Sequence, residues 1–188
     1  QIGIFNNVDL KLFKNLVLSS GYRIDNNNHF GNQNTYRIGT LYKFKKINFF
    51  NSLSSGYKNP TMYEMFGADN FGYTGNPNLK PEVSYNTEIG LKFETKKIDV
   101  ECTVYDTKIK DMITYANSTY SNDFDGSSKM QGFNLDLNFS INKINLTNSY
   151  AHVHAIDSSN TWLKRRPHDV MNSSIIYHDQ NWSLGANM

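Results

Sequence analysis

The chain has 188 residues, a formal net charge of +2 from 19 Lys and Arg against 17 Asp and Glu, and no apolar run longer than three residues. Charges so nearly balanced exclude a polybasic nucleic-acid arm and an acidic solvating tail, and a helix crossing a bilayer would need about 20 consecutive apolar residues. An aromatic content of 14%, with 12 Tyr and 12 Phe beside only 4 Pro, favours strands joined by polar loops.

Taken in chain order, Phe5 to Phe13 is the first expected strand. Leu16 to Asp25 follows, with Leu16, Leu18, Ser20, Tyr22 and Ile24 on one face and Val17, Ser19, Gly21, Arg23 and Asp25 on the other. Tyr36 to Phe44 sets Tyr36, Ile38, Thr40, Tyr42 and Phe44 against Arg37, Gly39, Leu41 and Lys43. After Ile47 to Tyr57, the segment Tyr85 to Phe93 repeats the scheme, with Ile89 and Leu91 opposite Glu88 and Lys92. Ile98 to Ile109, Met130 to Ile141, Ile144 to His154, Asp169 to Tyr177 and a last strand from Trp182 complete about ten. Alternation with period two gives each strand one apolar and one polar face. Helical periodicity is sustained nowhere over three turns. Cys102 is the lone cysteine, so no disulfide forms within the chain, and it reads as a small apolar strand residue.

The connections alternate in length. Short turns are expected at Lys14-Asn15, Lys45-Lys46, Glu94 to Lys97, Asn142-Lys143 and His178 to Asn181. Long polar loops are expected at Asn26 to Asn34, Lys58 to Glu82, Lys110 to Lys129 and Ala155 to His168. A membrane-spanning barrel has this order, with tight turns at one end and long loops at the other. Strands of about 9 to 11 residues suit a tilted crossing. Tyr and Phe at the strand ends would form two interfacial girdles. On this reading Leu18, Ile38, Ile89 and Leu137 face lipid, while Arg23, Asp25, Arg37, Lys43, Glu88, Lys92, Asn134, Asp136 and Asn138 face the lumen.

The segment Ser55-Gly56-Tyr57-Lys58-Asn59-Pro60-Thr61-Met62-Tyr63-Glu64-Met65-Phe66, followed by Gly75-Asn76-Pro77-Asn78-Leu79-Lys80-Pro81-Glu82, resembles the TonB-dependent outer-membrane receptors. In that family a strand ends in a G-[FY]-[KR]-x-P step, and G-N-P-x-L-x-P-E leads into the next. The resemblance continues through Glu88-Ile89-Gly90-Leu91-Lys92, Val104 to Ile113, Ser149-Tyr150-Ala151 and Leu163-Lys164-Arg165-Arg166-Pro167-His168. It departs at Gln131-Gly132-Phe133-Asn134-Leu135-Asp136, where the family commonly has Gly followed by Glu and Asp136 is the carboxylate on offer.

The resemblance implies an all-β, antiparallel transmembrane barrel, of which residues 1–188 are a partial domain: about ten strands of a 22-stranded barrel, with the plug domain and the C-terminal strands outside the segment. It implies a Gram-negative outer membrane, a plug and TonB as partners, and uptake of a scarce nutrient such as an iron–siderophore, haem or cobalamin. No nucleic acid, resident cofactor or catalysis is implied. Gly56, Tyr57, Pro60, Asn76, Pro77, Leu79, Pro81, Glu82, Arg165, Arg166 and Pro167 are read as structural residues of the outer rim. Pro removes a ladder donor and so belongs at strand ends. A passive porin or adhesin barrel and a soluble carbohydrate-binding module are the rival readings.

Other constellations carry less. His152 and His154 share a strand face, but no third metal ligand has a fixed spacing. Asn122-Asp123-Phe124-Asp125-Gly126 has the flavour of a calcium loop, lacks the further ligands of one, and reads as a solvated loop.

Overall fold

The computed structural model of the chain describes residues 2–123 and 126–188. In chain order the strands are β1 (Ile2–Phe13), β2 (Leu16–Asn27), β3 (Gly31–Phe44), β4 (Ile47–Lys58), β5 (Glu82–Glu94), β6 (Ile98–Lys110), β7 (Ile113–Ala116), β8 (Thr119–Asn122), β9 (Ser127–Ile141), β10 (Ile144–Ile156), β11 (Asp169–His178) and β12 (Ser183–Asn187). A single turn of helix, α1 (Met62–Phe66), lies between β4 and β5. Ten strands form one antiparallel sheet in the order β1-β2-β3-β4-β5-β6-β9-β10-β11-β12, and β7 and β8 form a separate hairpin. The eight strands from β1 to β10 that belong to the large sheet run 12 to 15 residues each, about twice the usual length in globular sheets. Among the described residues no helix is long and apolar enough to cross a membrane.

Register sorts the side chains, because residues directly opposite in antiparallel pairs share a face. Leu10, Leu18, Thr40, Asn51, Ile89, Val104, Phe133 and His152 form one continuous row across eight strands. Beside it Tyr42, Phe49, Leu91, Cys102, Leu135 and Tyr150 form another on the same, predominantly apolar face. The opposite face carries the row Lys43, Asn48, Lys92, Glu101, Asp136 and Ser149. In mid-sheet the polar face is the crowded one. Ser52 and Thr103 are 6% and 7% exposed, while their neighbours Leu53 and Val104 on the apolar face are 50% and 57% exposed.

The sheet therefore has no hydrophobic core on either side. Met65, Tyr73, Leu79 and Ala155, together with Pro60, are the buried apolar side chains among the described residues, and all lie beyond or at one end of it. At the opposite end the connections are tight, and Lys45 and Asn142 adopt the left-handed conformation that such hairpin turns demand.

One expectation for the connections is corrected, and two long connections carry local structure of their own. The Asn26 to Asn34 loop is mostly paired strand: Asn26 faces Asn32 and Asn27 faces Gly31 in the ladder, leaving residues 28–30 as the turn. The side chain of Asn27 accepts the amides of His29 and Phe30, an Asx turn, and Asn26 donates to Asn32 across the strands. Asn residues that read as loop thus build the hairpin. The Lys110 to Lys129 connection contains the β7–β8 hairpin, whose Asn117-Ser118 turn has both residues at positive φ, the backbone of a type I′ turn. The Lys58 to Glu82 connection contains α1.

Candidate functional site

The candidate functional surface is the looped end of the sheet, organised by the motif between β4 and β5. Thr61 caps α1: its hydroxyl accepts the Glu64 amide, and the Glu64 carboxylate accepts the Thr61 amide, a reciprocal capping box. Lys58, the last residue of β4, lies 3.6 Å from the Glu64 carboxylate and 3.5 Å from that of Glu82, the first residue of β5. Glu82 also accepts the Ile113 amide at 2.8 Å. One lysine and two carboxylates thereby join the strand ends, α1 and the β7–β8 hairpin.

The Gly75 to Pro81 segment is clamped from both sides. Gly75 donates to Gly67 and lies so close to α1 that a Cβ would come within 2.6 Å of the Met65 backbone, which only glycine permits. Asn76 donates through its side chain to Tyr120, and its carboxamide oxygen accepts the Asn78 amide. Leu79 is buried, 4% exposed. Asn122, at the end of β8, accepts the Lys80 amide at 2.8 Å and donates to the carbonyls of Lys80 at 2.9 Å and Asp111 at 2.6 Å. Pro60 is buried two residues past the end of β4, and Pro81 immediately precedes β5; neither position asks the ladder for an N–H.

An aromatic cluster fills the space between α1 and the hairpin. The Tyr73 ring stacks on Tyr63 with centroids 4.8 Å apart and meets Tyr115 and Tyr120 at 6.0 and 5.8 Å. Its hydroxyl donates to the Tyr63 carbonyl, and burial pushes its pKa up, with neighbouring Tyr and Glu64 adding to the shift. Around the buried Tyr73 ring, Tyr63 and Tyr115 of the cluster and their neighbours Met62, Phe66 and Phe71 stand exposed, Phe71 at 95%.

Each residue expected from the sequence has a definite place. Gly56 lies opposite Ser84 on the polar face and Tyr57 opposite Val83 on the apolar one. Pro77 is exposed at the loop surface. Arg165, at positive φ, and Arg166 and Pro167 are exposed in the β10–β11 connection. The carbonyl of Arg166 accepts the Trp162 indole N–H, and Trp162 stacks on His168 at 3.5 Å.

By register Arg37, Lys43, Glu88, Lys92, Asn134, Asp136 and Asn138 share the polar face. Arg23 shares it too, forking onto the buried Asp25 at 2.6 and 2.7 Å. Lys92 lies 3.0 Å from Asp99 and 4.0 Å from Glu101. Leu18, Ile38, Ile89 and Leu137 lie on the apolar face. Cys102 is exposed on that face.

The two histidines do not converge. His152 meets the Asp169 carboxylate at 2.8 Å, and Tyr150 donates to the same oxygen, whereas His154 packs edge-on against Trp162. Among the described residues no three metal-ligating side chains cluster. Asn122 is 9% exposed and spent on the backbone of residues 80 and 111, which corrects the reading of residues 122–126 as a solvated loop at its first position; Phe124 and Asp125 lie outside the described residues. Asn122 and the capping box escaped sequence reasoning, although Thr61-Met62-Tyr63-Glu64 spells a capping box.

Comparison with known proteins converges on one family. The model described as "TonB dependent receptor-like, beta-barrel" matches residues 1–188. The chain is 29% identical over 171 residues to the vitamin B12 transporter BtuB of Photobacterium profundum, covering 86% of this chain and 28% of that protein. It is 28% identical over 174 residues to BtuB of Vibrio cholerae, again 28% of the relative. The segment therefore spans little more than a quarter of these transporters. Among solved structures, the siderophore receptor PirA of Acinetobacter baumannii superimposes with a TM-score of 0.79 at 20% identity, over 95% of this chain and 31% of that one. The ferric enterobactin receptor PfeA of Pseudomonas aeruginosa gives 0.81 at 16% identity, over 98% and 31%. At such identities the match is one of fold, and it is the fold of a ten-stranded portion of a larger barrel. The chain belongs to the TonB-dependent receptor β-barrel family.

Proposed function

We propose that this segment is part of the wall and outer rim of an outer-membrane receptor of a Gram-negative bacterium, working with a plug domain and TonB to import a scarce metal complex. The observation that carries the reading is the two-faced sheet without a core. Large apolar side chains such as Ile4, Ile89 and Val104, 75%, 63% and 57% exposed, cover one face across ten strands. Water does not tolerate an apolar surface of that extent, and lipid does. The charged face, with Arg23, Arg37, Lys43, Glu88, Lys92, Asn134, Asp136 and Asn138, lines the lumen against a plug. The looped end with α1 and the β7–β8 hairpin is external, and the tight turns are periplasmic.

The motif residues from Gly56 to Glu82 hold the rim loops in shape. The exposed rings of Tyr63, Phe66, Phe71 and Tyr115 around the Tyr73 cluster offer planar apolar contact to an arriving ligand. The similarity to B12 transporters makes a corrinoid the first ligand to test and ferric siderophores the second.

Labelled cyanocobalamin and ferric siderophores are offered to a receptor-null strain expressing the complete parent receptor. Uptake of one of them, abolished by deleting TonB or collapsing the proton-motive force, is the expected result. Uptake that survives both treatments points to the passive-barrel alternative and contradicts the proposal.

A further inference from the structure

The apolar face changes character at the looped end of β6 and β9. Lys108 and Lys129 lie directly opposite each other in the ladder, and Lys110, two residues on, shares their face. Side by side, like charges oppose strand pairing, and among the described residues none of the three has a carboxylate partner. Asp106, the nearest acid on this face by register, lies one row below and accepts the Gln131 carboxamide through one oxygen, with no ion pair to the lysines among the described residues. Lys110 lies over the Tyr85 ring, 5.7 Å from its centroid. All three lysines are exposed.

Height decides what surrounds them. From Ile98 at the tight-turn end to Lys108 the strand advances ten residues at about 3.4 Å each, which a tilt of about 40° converts to about 26 Å above the lower edge of the apolar face. That matches the roughly 25 Å apolar band of a membrane barrel. Directly below the lysines the face carries the polar pair Asp106 and Gln131, and below that pair Val104, Phe133, Cys102 and Val100. The ammonium groups therefore sit where hydrocarbon gives way to headgroups, beside the interfacial ring of Tyr85.

We propose that Lys108, Lys129 and Lys110 form a binding patch for the phosphorylated headgroup of an outer-leaflet glycolipid. A phosphate seated between Lys108 and Lys129 relieves their mutual repulsion and accepts charge-assisted hydrogen bonds from both. The patch lies on the outside of the barrel, away from the lumen and the rim cluster, so it docks lipid and not the transported nutrient. The inference rests on the outer-membrane reading above.

The test uses the complete receptor, purified in detergent and titrated with lipid A 1,4′-bisphosphate, with lipid A stripped of both phosphates, and with inorganic phosphate. Wild-type receptor is expected to prefer the bisphosphate over the dephosphorylated lipid by about tenfold or more, and Lys108→Gln/Lys129→Gln to lose that preference. Lys45→Gln/Lys46→Gln, which removes the same charge at the other end, keeps it. A preference undiminished in Lys108→Gln/Lys129→Gln, or displacement of the lipid by millimolar inorganic phosphate, overturns the assignment. Reaction of Cys102 with a lipid-soluble maleimide, read on the same samples, separates the two failures. If Cys102 reacts and the preference persists, the lysine patch alone is wrong; if Cys102 is shielded from lipid, the outward orientation of this face is wrong as well.

Discussion

Replacing Asn122 by Ala removes the clamp on the rim motif at one stroke. The wild-type carboxamide makes three hydrogen bonds, at 2.8, 2.9 and 2.6 Å, to the backbone of Lys80 and Asp111. At about 1 kcal/mol net for each, the loss is about 3 kcal/mol. The side chain is 9% exposed and Leu79 beside the clamped residue is 4% exposed, so water cannot replace the bonds without opening the loop. The ladder between β5 and β6 does not depend on Asn122, and the loss is local. Hydrogen exchange at the Lys80 amide reads it directly: a fall of about 3 kcal/mol in opening free energy speeds exchange by about two orders of magnitude. Asn122→Asp keeps the acceptor but turns a carboxylate toward two carbonyls, and exchanges at least as fast as Asn122→Ala. Asn78→Ala, an exposed neighbour in the same loop, serves as the control and changes exchange little. Lys80 exchange in Asn122→Ala within about threefold of wild type, under 1 kcal/mol, would refute the clamp.

Arginine at Ile89 is expected to cost about 2 to 4 kcal/mol in reversible unfolding in lipid, against much less at Asn138; equal costs contradict the sorting of faces. Gly75→Ala drives a methyl group against the Met65 backbone and is expected to cost the rim loop about 1 to 3 kcal/mol, seen as faster proteolysis within residues 59–81 with the strands left intact. Epitope tags in the 59–81 and 111–126 connections are expected to bind antibody on intact cells, and a tag at Lys45-Lys46 only after permeabilisation; the opposite pattern inverts the topology.

The strands were legible because a sheet with one apolar and one polar face writes its period into the chain. Tyr36 to Phe44 and Tyr85 to Phe93 display it plainly. Their ends were less legible. At Asn26 to Asn34 the same residues that favour turns made the cross-strand and Asx contacts of a tight hairpin, and polarity beyond the apolar band no longer separates strand from loop. The β7–β8 hairpin was hidden for a related reason: Asn117-Ser118 reaches positive φ without the Gly that marks such turns. The family motif was visible as letters, while its partners were not. Asn122 lies 42 positions from Lys80, and no local period connects two loops that meet only when β5, β6 and β9 are paired.

The central claim, that one face of this sheet meets lipid and the other a water-filled or plugged lumen, is tested most directly along β6 of the complete receptor in cells. Single cysteines at the native Cys102 and at Val104→Cys, each in a background without other cysteines, are compared with Thr103→Cys and Tyr105→Cys. Register places Cys102 and Val104 on the apolar face and Thr103 and Tyr105 on the polar one. The account predicts alternation: a lipid-soluble maleimide labels positions 102 and 104, and a small water-soluble methanethiosulfonate labels 103 and 105 once the lumen is opened by removing the plug. Labelling without alternation, or with the two faces exchanged, would contradict it.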